Sequence, residues 1–268
     1  MREAAEFLEV ALHGAKLAEA EILKHYQGDF AVEWKPDSTP VTLADKNAEE
    51  AMRRFFGKET PEAGFVGEEF GVERPGAELQ WILDPIDGTK AFIHGVPLFG
   101  TLIALYRRNV PLVSVVNLPA LRSTLYAVKG GGAFVDGLPA RASTVGKLSE
   151  ALVLSGTINT VEDKGLGEEF KTLRRSAKLY RNWGDCYGYY LVATGRAEVM
   201  LDPVVSLWDI APFPLIFAEC GGHFSTLAGE GELFTPSGAP VKEVYEGFNS
   251  FASTTALAPE VLRLFSNI

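Results

Sequence analysis

Residues 81–92 read WILDPIDGTKAF, and this stretch is the most informative part of the sequence. Its apolar start predicts a buried strand that delivers Asp84 to the strand's carboxyl end. Pro85 has no N–H to donate, so we expect the strand ladder to stop there. Asp87 follows three residues after Asp84, and the Gly-Thr pair behind it is expected to open a helix with free N–H groups. The segment therefore predicts two carboxylates beside an anion site.

An Asp-x-x-Asp-Gly segment also has a purely structural interpretation, a tight turn in which Asp87 caps the helix. Two further acidic segments favour a functional role. Glu68 lies in VGEEFG after a short predicted strand, and Asp209 lies in SLWDIAPF at a predicted helix start. Adjacent glutamates are usually solvated, and Ser206 with Asp209 also matches a capping box. Four acids at the ends of strands and helices nevertheless match the oxygen ligands that Mg²⁺ requires.

The composition is that of a folded globular protein with an acidic excess. The 268 residues include 35 Asp and Glu against 25 Lys and Arg, for a formal net charge of −10, and 47% are hydrophobic. This charge argues against nucleic acid or an anionic membrane as the main partner. The charged N-terminal helix is neither a signal peptide nor a membrane span, so we expect a cytoplasmic protein. Cys186 and Cys220 are expected to be buried thiols in a reducing compartment.

The pattern of predicted elements changes near residue 150. Residues 2–26 and 42–56 have helical spacing of apolar residues, and strand-like runs follow in an antiparallel pattern. Later in the chain, strands alternate with helices. We therefore expect two closely packed halves, 1–150 and 151–268, in an α+β or α/β architecture. The first half carries most of the acidic motifs, and the second carries Asp209.

The motifs GEE, DPIDGT and WD, in this order and at these intervals, resemble those of the inositol monophosphatase family. The resemblance extends from STPVTLAD, residues 38–45, to ECGG, residues 219–222. It implies a five-layered αβαβα sandwich, usually as a homodimer. It also implies Mg²⁺-dependent, Li⁺-sensitive hydrolysis of phosphate monoesters, with two or three Mg²⁺ ions at one phosphate site.

The resemblance implies a role for each matching position. The implied metal ligands are the side chains of Glu68, Asp84, Asp87 and Asp209 and the backbone carbonyl of Ile86. Gly88 and Thr89 would hold the phosphate through backbone N–H groups. Thr89 would pair with Asp45 to orient the attacking water, and Glu68 and this pair would direct its proton. Asp45 also matches a capping box with Thr42. Lys35, in a polar stretch, is a further candidate near the metals.

The substrate side resembles the histidinol-phosphate phosphatase branch of the family more than the inositol branch. The segments GVPLFGTLIAL and WGDCYGYYLVATGRAEVMLDP carry this resemblance. Asp185 and Asp202 lie in the second segment, and their carboxylates could bind the ammonium and imidazole groups of histidinol phosphate. Asp185 also has an interpretation as a helix N-cap, and Asp202-Pro203 has one as a plain turn.

Other functions stay open at this point. An inositol-1-monophosphatase or a broad sugar-phosphate phosphatase is the main alternative. Fructose-1,6-bisphosphatase or bisphosphonucleotide phosphatase activity would need an Arg or Lys cluster for a second phosphate. The stretches 185–190 and 202–207 contain none, although Arg181 and Arg196 lie nearby. A non-catalytic protein that binds partners through a dimer surface would be favoured by loss of a metal carboxylate, and all of them are present.

Overall fold

The structure is a computed structural model that describes residues 2–28, 32–34, 40–235, 237–245 and 247–266. Lys35, the candidate near the metals, lies outside the described residues. The described helices are α1 (Arg2–Ile22), α2 (Leu43–Glu59), α3 (Thr89–Ile93), α4 (Ile158–Asp163), α5 (Gly167–Ser176), α6 (Asp185–Ala193), α7 (Leu207–Ile210), α8 (Phe213–Cys220) and α9 (Ala258–Phe265). The described strands are β1 (Val32–Trp34), β2 (Pro40–Thr42), β3 (Gly64–Gly67), β4 (Gly71–Glu73), β5 (Leu79–Asp87), β6 (Gly100–Arg107), β7 (Val110–Leu118), β8 (Ser123–Val128), β9 (Gly132–Val135), β10 (Leu138–Pro139), β11 (Leu152–Ser155), β12 (Leu179–Arg181), β13 (Val199–Val205), β14 (Gly222–Ser225) and β15 (Phe248–Thr254).

These elements stack in alternating layers, and the predicted αβαβα sandwich is confirmed. Helices α1 and α2 pack on one face of a sheet with the order β10-β9-β8-β7-β6-β5-β3-β4. Helices α6 and α8 fill the layer between this sheet and a second one with the order β12-β11-β13-β15-β14. Helices α4, α5 and α9 pack on the outer side of the second sheet. β1 and β2 form a separate antiparallel pair.

Buried aromatic side chains fill the spaces between the layers. Beneath α2, Phe56 stacks on Trp81 of β5 with ring centroids 4.1 Å apart. In the middle layer, Tyr189 of α6 stacks on Phe213 of α8 at 4.3 Å. Burial of such a side chain is worth roughly 1.5–3 kcal/mol. The helices are therefore fixed against both sheets, and the residues at their ends hold defined positions.

The two sheets use separate parts of the chain. Every described strand of the larger sheet lies within residues 64–139, and every described strand of the smaller sheet lies within residues 152–254. This arrangement supports the proposal that the chain divides near residue 150. The middle helices α6 and α8 contact both sheets, so the two halves pack closely.

The sequence predicted that β5 would end at Pro85, but the strand continues to Asp87. Its pairing with β6 shifts register between Asp84 and Asp87, and Asp87 pairs with Gly100. The Pro85 carbonyl accepts a hydrogen bond from the Thr101 hydroxyl at 2.9 Å. The missing proline N–H thus lies in the irregular part of the ladder. The pairing of β5 with β6 resumes after this irregularity, at Asp87.

Two simpler predictions can be compared directly. Cys186 and Cys220 are both free and buried, as expected. Within the described part of the chain, no helix is long and apolar enough to cross a membrane.

Candidate active site

The carboxylates predicted from three separate motifs meet at one place. Asp84 and Asp87 lie at the carboxyl end of β5, and Asp209 lies in α7 of the other half. One carboxylate oxygen from each of the three residues lies within 4.8 Å of the others. Asp84 is buried, and the other two are half-buried. A site of this kind requires both halves of the chain.

Asp87 is held by the second half of the chain and does not cap its own helix. Its Oδ2 accepts a hydrogen bond from the backbone N–H of Cys186, in the first turn of α6. The N-cap of α3 is Gly88, which makes no side-chain capping bond, so the capping interpretation of Asp87 was wrong. Gly88 has φ 82°, which favours glycine, and a Cβ there would lie 2.9 Å from the Leu98 carbonyl oxygen.

Asp209 and Asp45 both form the capping boxes that the sequence indicated. The Ser206 N–H donates to Asp209 Oδ2 at 2.7 Å. The N–H and hydroxyl of Thr42 donate to Asp45 Oδ2 at 2.8 and 2.6 Å. Each cap fixes one oxygen of its carboxylate. Asp209 both caps α7 and belongs to the acidic cluster, so a capping role and a metal-binding role are compatible for this residue.

Glu68 follows β3, directly beside the strand that carries Asp84. Its N–H donates to the Leu83 carbonyl at 3.2 Å. The Thr89 hydroxyl donates to the Ile86 carbonyl at 2.9 Å. The Thr89 hydroxyl thus donates its proton to Ile86 here, and the pairing of Thr89 with Asp45 stays a prediction.

Burial and the charges of neighbouring acids raise the pKa values of the carboxyl groups in the cluster. Burial raises the pKa of Asp84 well above its usual range, and the charges of Glu68 and Asp87 raise it further. The pKa values of Asp87 and Asp209 are raised in the same way, first by burial. Burial raises the pKa of Asp45 to about 7, although its own hydrogen bonds oppose the rise. Because like charges crowd one place in a low dielectric, a cation there would favour every ionised form.

One atom of the cluster supports a cation site directly. Asp84 Oδ1 is buried and has no hydrogen-bond partner among the described residues. A buried polar atom without a partner costs roughly 1–3 kcal/mol, and more when the group is charged. The donor set around it consists of carboxylate oxygens, which are the ligands that Mg²⁺ prefers. The residues present therefore fit a hard divalent cation.

The two acids predicted on the substrate side line one pocket together with two acids of the cluster, Asp87 and Asp209. Asp185 is the first residue of α6 and has φ 55°, and the N-cap is Gly184, so the capping interpretation of Asp185 was wrong. Asp202 lies within β13, so the turn interpretation was also wrong. The pocket lining consists of Asp87, Asp185, Cys186, Tyr189, Asp202, Val204, Val205 and Asp209. A left-handed conformation at a non-glycine residue such as Asp185 is found mainly where function or packing demands it.

Asp202 is oriented by neighbours that the sequence did not single out. The Tyr189 hydroxyl donates to Asp202 Oδ2 at 3.2 Å and lies 2.7 Å from the Ser250 hydroxyl. The backbone N–H of Gly156 also bonds the Asp202 carboxylate, and burial raises the pKa of this group. Tyr189 lies four residues after Asp185 on α6, on the same helix face, and this spacing was the available signal.

Comparisons with known proteins identify the family of the chain. The model of the inositol monophosphatase family matches residues 3–262, so the chain belongs to that family of phosphoric monoester hydrolases. The chain is 42% identical over 216 residues to the histidinol-phosphatase of Chlorobaculum parvum, covering 80% of this chain and 83% of that one. A solved inositol monophosphatase from Zymomonas mobilis is 28% identical, with a TM-score of 0.83 over 97% of this chain and 98% of that one. An IMPase/NADP phosphatase complexed with Mg²⁺ and phosphate shares the fold at 21% identity and a TM-score of 0.80, covering 98% of this chain and 95% of that one.

Proposed function

We propose that this protein is a Mg²⁺-dependent phosphomonoesterase that hydrolyses histidinol phosphate to histidinol and phosphate. The observation that carries the reaction class is the meeting of Asp84, Asp87 and Asp209 around a buried, unpartnered carboxylate oxygen. Membership of a phosphatase family supports the same class. The similarity to the Chlorobaculum parvum histidinol-phosphatase and the carboxylates of Asp185 and Asp202 in the adjoining pocket support the substrate.

The cluster would hold two or three Mg²⁺ ions. The proposed ligands are the carboxylates of Glu68, Asp84, Asp87 and Asp209 and the carbonyl of Ile86. When bound, Mg²⁺ supplies Lewis-acid polarisation of the phosphate and lowers the pKa of a coordinated water. The chain contributes rigid placement of these oxygens, because β5 and the capping box of α7 fix three of the acids from two directions.

The remaining chemistry belongs to side chains and backbone groups around the cluster. The N–H groups of Gly88 and Thr89 would bind phosphate oxygens. Asp45 would accept the proton of the attacking water at Oδ1, since its Oδ2 is occupied by Thr42. Burial raises its pKa to about 7 in the metal-free protein, and a cation in the cluster would favour its ionised, proton-accepting form. Thr89 would assist if its hydroxyl turned from Ile86 towards Asp45.

Asp185 and Asp202 would select the organic part of the substrate. Histidinol phosphate carries an ammonium group and an imidazole, which can both donate charge-assisted hydrogen bonds to carboxylates. The charge of Asp185 raises the pKa of Asp202, so the two carboxylates repel each other, and a cationic substrate would relieve that repulsion. A neutral polyol would gain less from the same pair.

An inositol-phosphate phosphatase is the second candidate, and the likeness to the Zymomonas mobilis inositol monophosphatase is the observation that favours it. The lower identity of that protein places it second. A non-catalytic, dimeric interaction protein is disfavoured, because every proposed metal ligand is present. Lithium sensitivity and a homodimer are proposals that rest on the family resemblance, and a cytoplasmic location is a proposal that rests on the two free thiols.

The substrate proposal predicts a preference for histidinol phosphate. With saturating Mg²⁺, kcat/KM for histidinol phosphate should exceed that for inositol 1-phosphate by more than about tenfold, or about 1.4 kcal/mol of transition-state stabilisation. Steady-state release of phosphate measures both values with one enzyme preparation. A tenfold preference for the inositol ester would support the second candidate. Release from neither ester, with or without Mg²⁺, would contradict the proposal as a whole.

A further inference from the structure

A buried glutamate on α2 lies behind the turn that carries Glu68. The Glu49 side chain is 0% exposed and accepts the backbone N–H groups of Glu69 at 2.8 Å and Phe70 at 3.3 Å. These two amides belong to the turn between β3 and β4. A buried carboxylate that accepts several backbone N–H groups fixes the conformation of the segment that supplies them.

Arg53 holds Glu49 in this position. Its Nε donates to Glu49 Oε1 at 2.8 Å, and its Nη2 donates to the Gly71 carbonyl at 2.5 Å. The guanidinium also lies over the Phe65 ring, 5.3 Å from the centroid, and near the Phe70 ring at 5.9 Å. Glu49 and Arg53 therefore bind three consecutive residues, Glu69, Phe70 and Gly71, to one helix.

Gly67 makes room for this carboxylate. A Cβ at Gly67 would clash with Glu49 Oε1, and it would lie 2.8 Å from Arg53 Nη2. The absence of a side chain at this position thus lets α2 approach the end of β3. The close packing extends to the residue directly before Glu68.

Helix α2 also carries Asp45, one turn before Glu49 and on the same face. The two residues act on different parts of the proposed site. Asp45 is the proposed proton acceptor, and Glu49 contacts the turn of the proposed metal ligand Glu68. The charge of Glu68 raises the pKa of Asp45, so the two acids lie close together. Helix α2 therefore carries Asp45 directly and holds the turn of Glu68 through Glu49.

We propose that Glu49 is a positioning residue for hydrolysis, whose carboxylate holds the Glu68–Phe70 turn so that Glu68 faces the acidic cluster. This inference rests on the proposed function. Glu49 contacts neither substrate nor metal in it and acts only through Glu68. Substituting a residue that holds a metal ligand in place, without touching the metal, typically lowers metal affinity or activity by about 10–100-fold.

The test compares Glu49→Gln with Glu50→Gln, the same change at the neighbouring, exposed position of α2. In Glu49→Gln, calorimetry should show Mg²⁺ binding weakened by about 10–100-fold, with a matching rise in the Mg²⁺ needed for half-maximal activity. KM for substrate at saturating Mg²⁺ should stay within about twofold of the unsubstituted protein, because uniform substrate binding is not altered. Glu50→Gln should match the unsubstituted protein in every respect.

A second readout does not depend on metal or activity. In the metal-free protein, hydrogen exchange of the Glu69 and Phe70 amides should accelerate by about tenfold or more in Glu49→Gln, since their acceptor is weakened. Exchange in β5 should not change. Unchanged Mg²⁺ affinity together with unchanged exchange at the turn would overturn the proposal. Faster exchange throughout the protein would overturn it too, because it would indicate a general loss of stability.

Gly67→Ala gives an independent test if Glu49→Gln does not fold. It keeps every acid and displaces the Glu49 carboxylate, so it should weaken Mg²⁺ binding in the same way. Unaltered binding in a folded Gly67→Ala protein would contradict the proposal. If the unsubstituted protein releases no phosphate from any ester with Mg²⁺, the proposed function fails, whereas the exchange measurement still decides whether Glu49 holds the turn.

Discussion

Asp84→Asn is expected to reduce Mg²⁺-dependent phosphate release by more than about a hundredfold. Substituting a residue that only orients a metal ligand already costs about 10–100-fold, and Asp84 is a proposed ligand itself. Asp84 contributes the buried, unpartnered oxygen at the centre of the acidic cluster. Asparagine has nearly the same volume, but it has one oxygen and no charge, so it is a much poorer ligand for a hard cation. Single-turnover and steady-state phosphate release at several Mg²⁺ concentrations measure the loss.

The stability of the metal-free variant separates a lost ligand from a lost fold. Burial and the charges of Glu68 and Asp87 raise the pKa of Asp84 above its ordinary value of 3.8. The folded state therefore binds an extra proton, and ionised Asp84 destabilises the metal-free protein increasingly as pH rises above 3.8. Metal-free Asp84→Asn should thus unfold at the same or a higher temperature than the unsubstituted protein at pH 8, with the difference narrowing towards pH 5.

The matched control for this variant is Asp163→Asn, an exposed residue at the end of α4. It should leave both turnover and the unfolding temperature unchanged. Full turnover in Asp84→Asn would contradict the assignment of the cluster as the catalytic metal site. Loss of turnover combined with a large drop in the metal-free unfolding temperature would instead indicate misfolding.

Asp202→Asn should lower kcat/KM for histidinol phosphate by about 10–100-fold, which corresponds to the roughly 1.5–3 kcal/mol of a hydrogen bond to a charged group. The carboxylate lies in the pocket beside the cluster and is oriented by the Tyr189 hydroxyl at 3.2 Å. The amide keeps the shape and removes the charge that would attract the ammonium or the imidazole. Steady-state kinetics with histidinol phosphate give the change.

Inositol 1-phosphate provides the internal control for this variant. Asp202 also influences Asp87 electrostatically, so a general effect on the metal site would act on both esters. The prediction is that kcat/KM for inositol 1-phosphate changes by less than about threefold, since that substrate has no cation to lose. Equal losses for the two esters would show that Asp202 acts on the metal site and does not select the substrate.

The parts of the fold that the sequence predicts well are those with strong local signals. Strands β7 and β8 pair in the antiparallel pattern that the sequence predicted, because dense apolar runs are separated there by clear turn residues. The region near Asp209 is less regular than expected, with α7 and α8 separated at Pro212. Strands β14 and β15 and helix α9 were not predicted, since their short apolar runs lie among polar residues and gain their order from the second sheet.

In the site too, residues with a strong local sequence signal could be predicted, and residues without one could not. The acids in GEE, DPIDGT and WD could be identified from local motifs together with a family resemblance. The residues that hold them could not, because their partners are distant in sequence. The N–H of Cys186 bonds Asp87 across 99 positions, and Tyr189 reaches Ser250 across 61. Glu49 contacts Glu69 across 20 positions, and only the helix register shared with Asp45 offered a signal.

The central claim is that a cluster of acids becomes a phosphate site only when Mg²⁺ neutralises it. Titration calorimetry with inorganic phosphate, in the presence of Mg²⁺ and then with excess chelator, tests this claim most directly. We predict binding with Mg²⁺ and none in chelator, because the crowded like charges of Asp84, Asp87 and Asp209 repel an anion. Phosphate binding of equal affinity without Mg²⁺ would contradict the account.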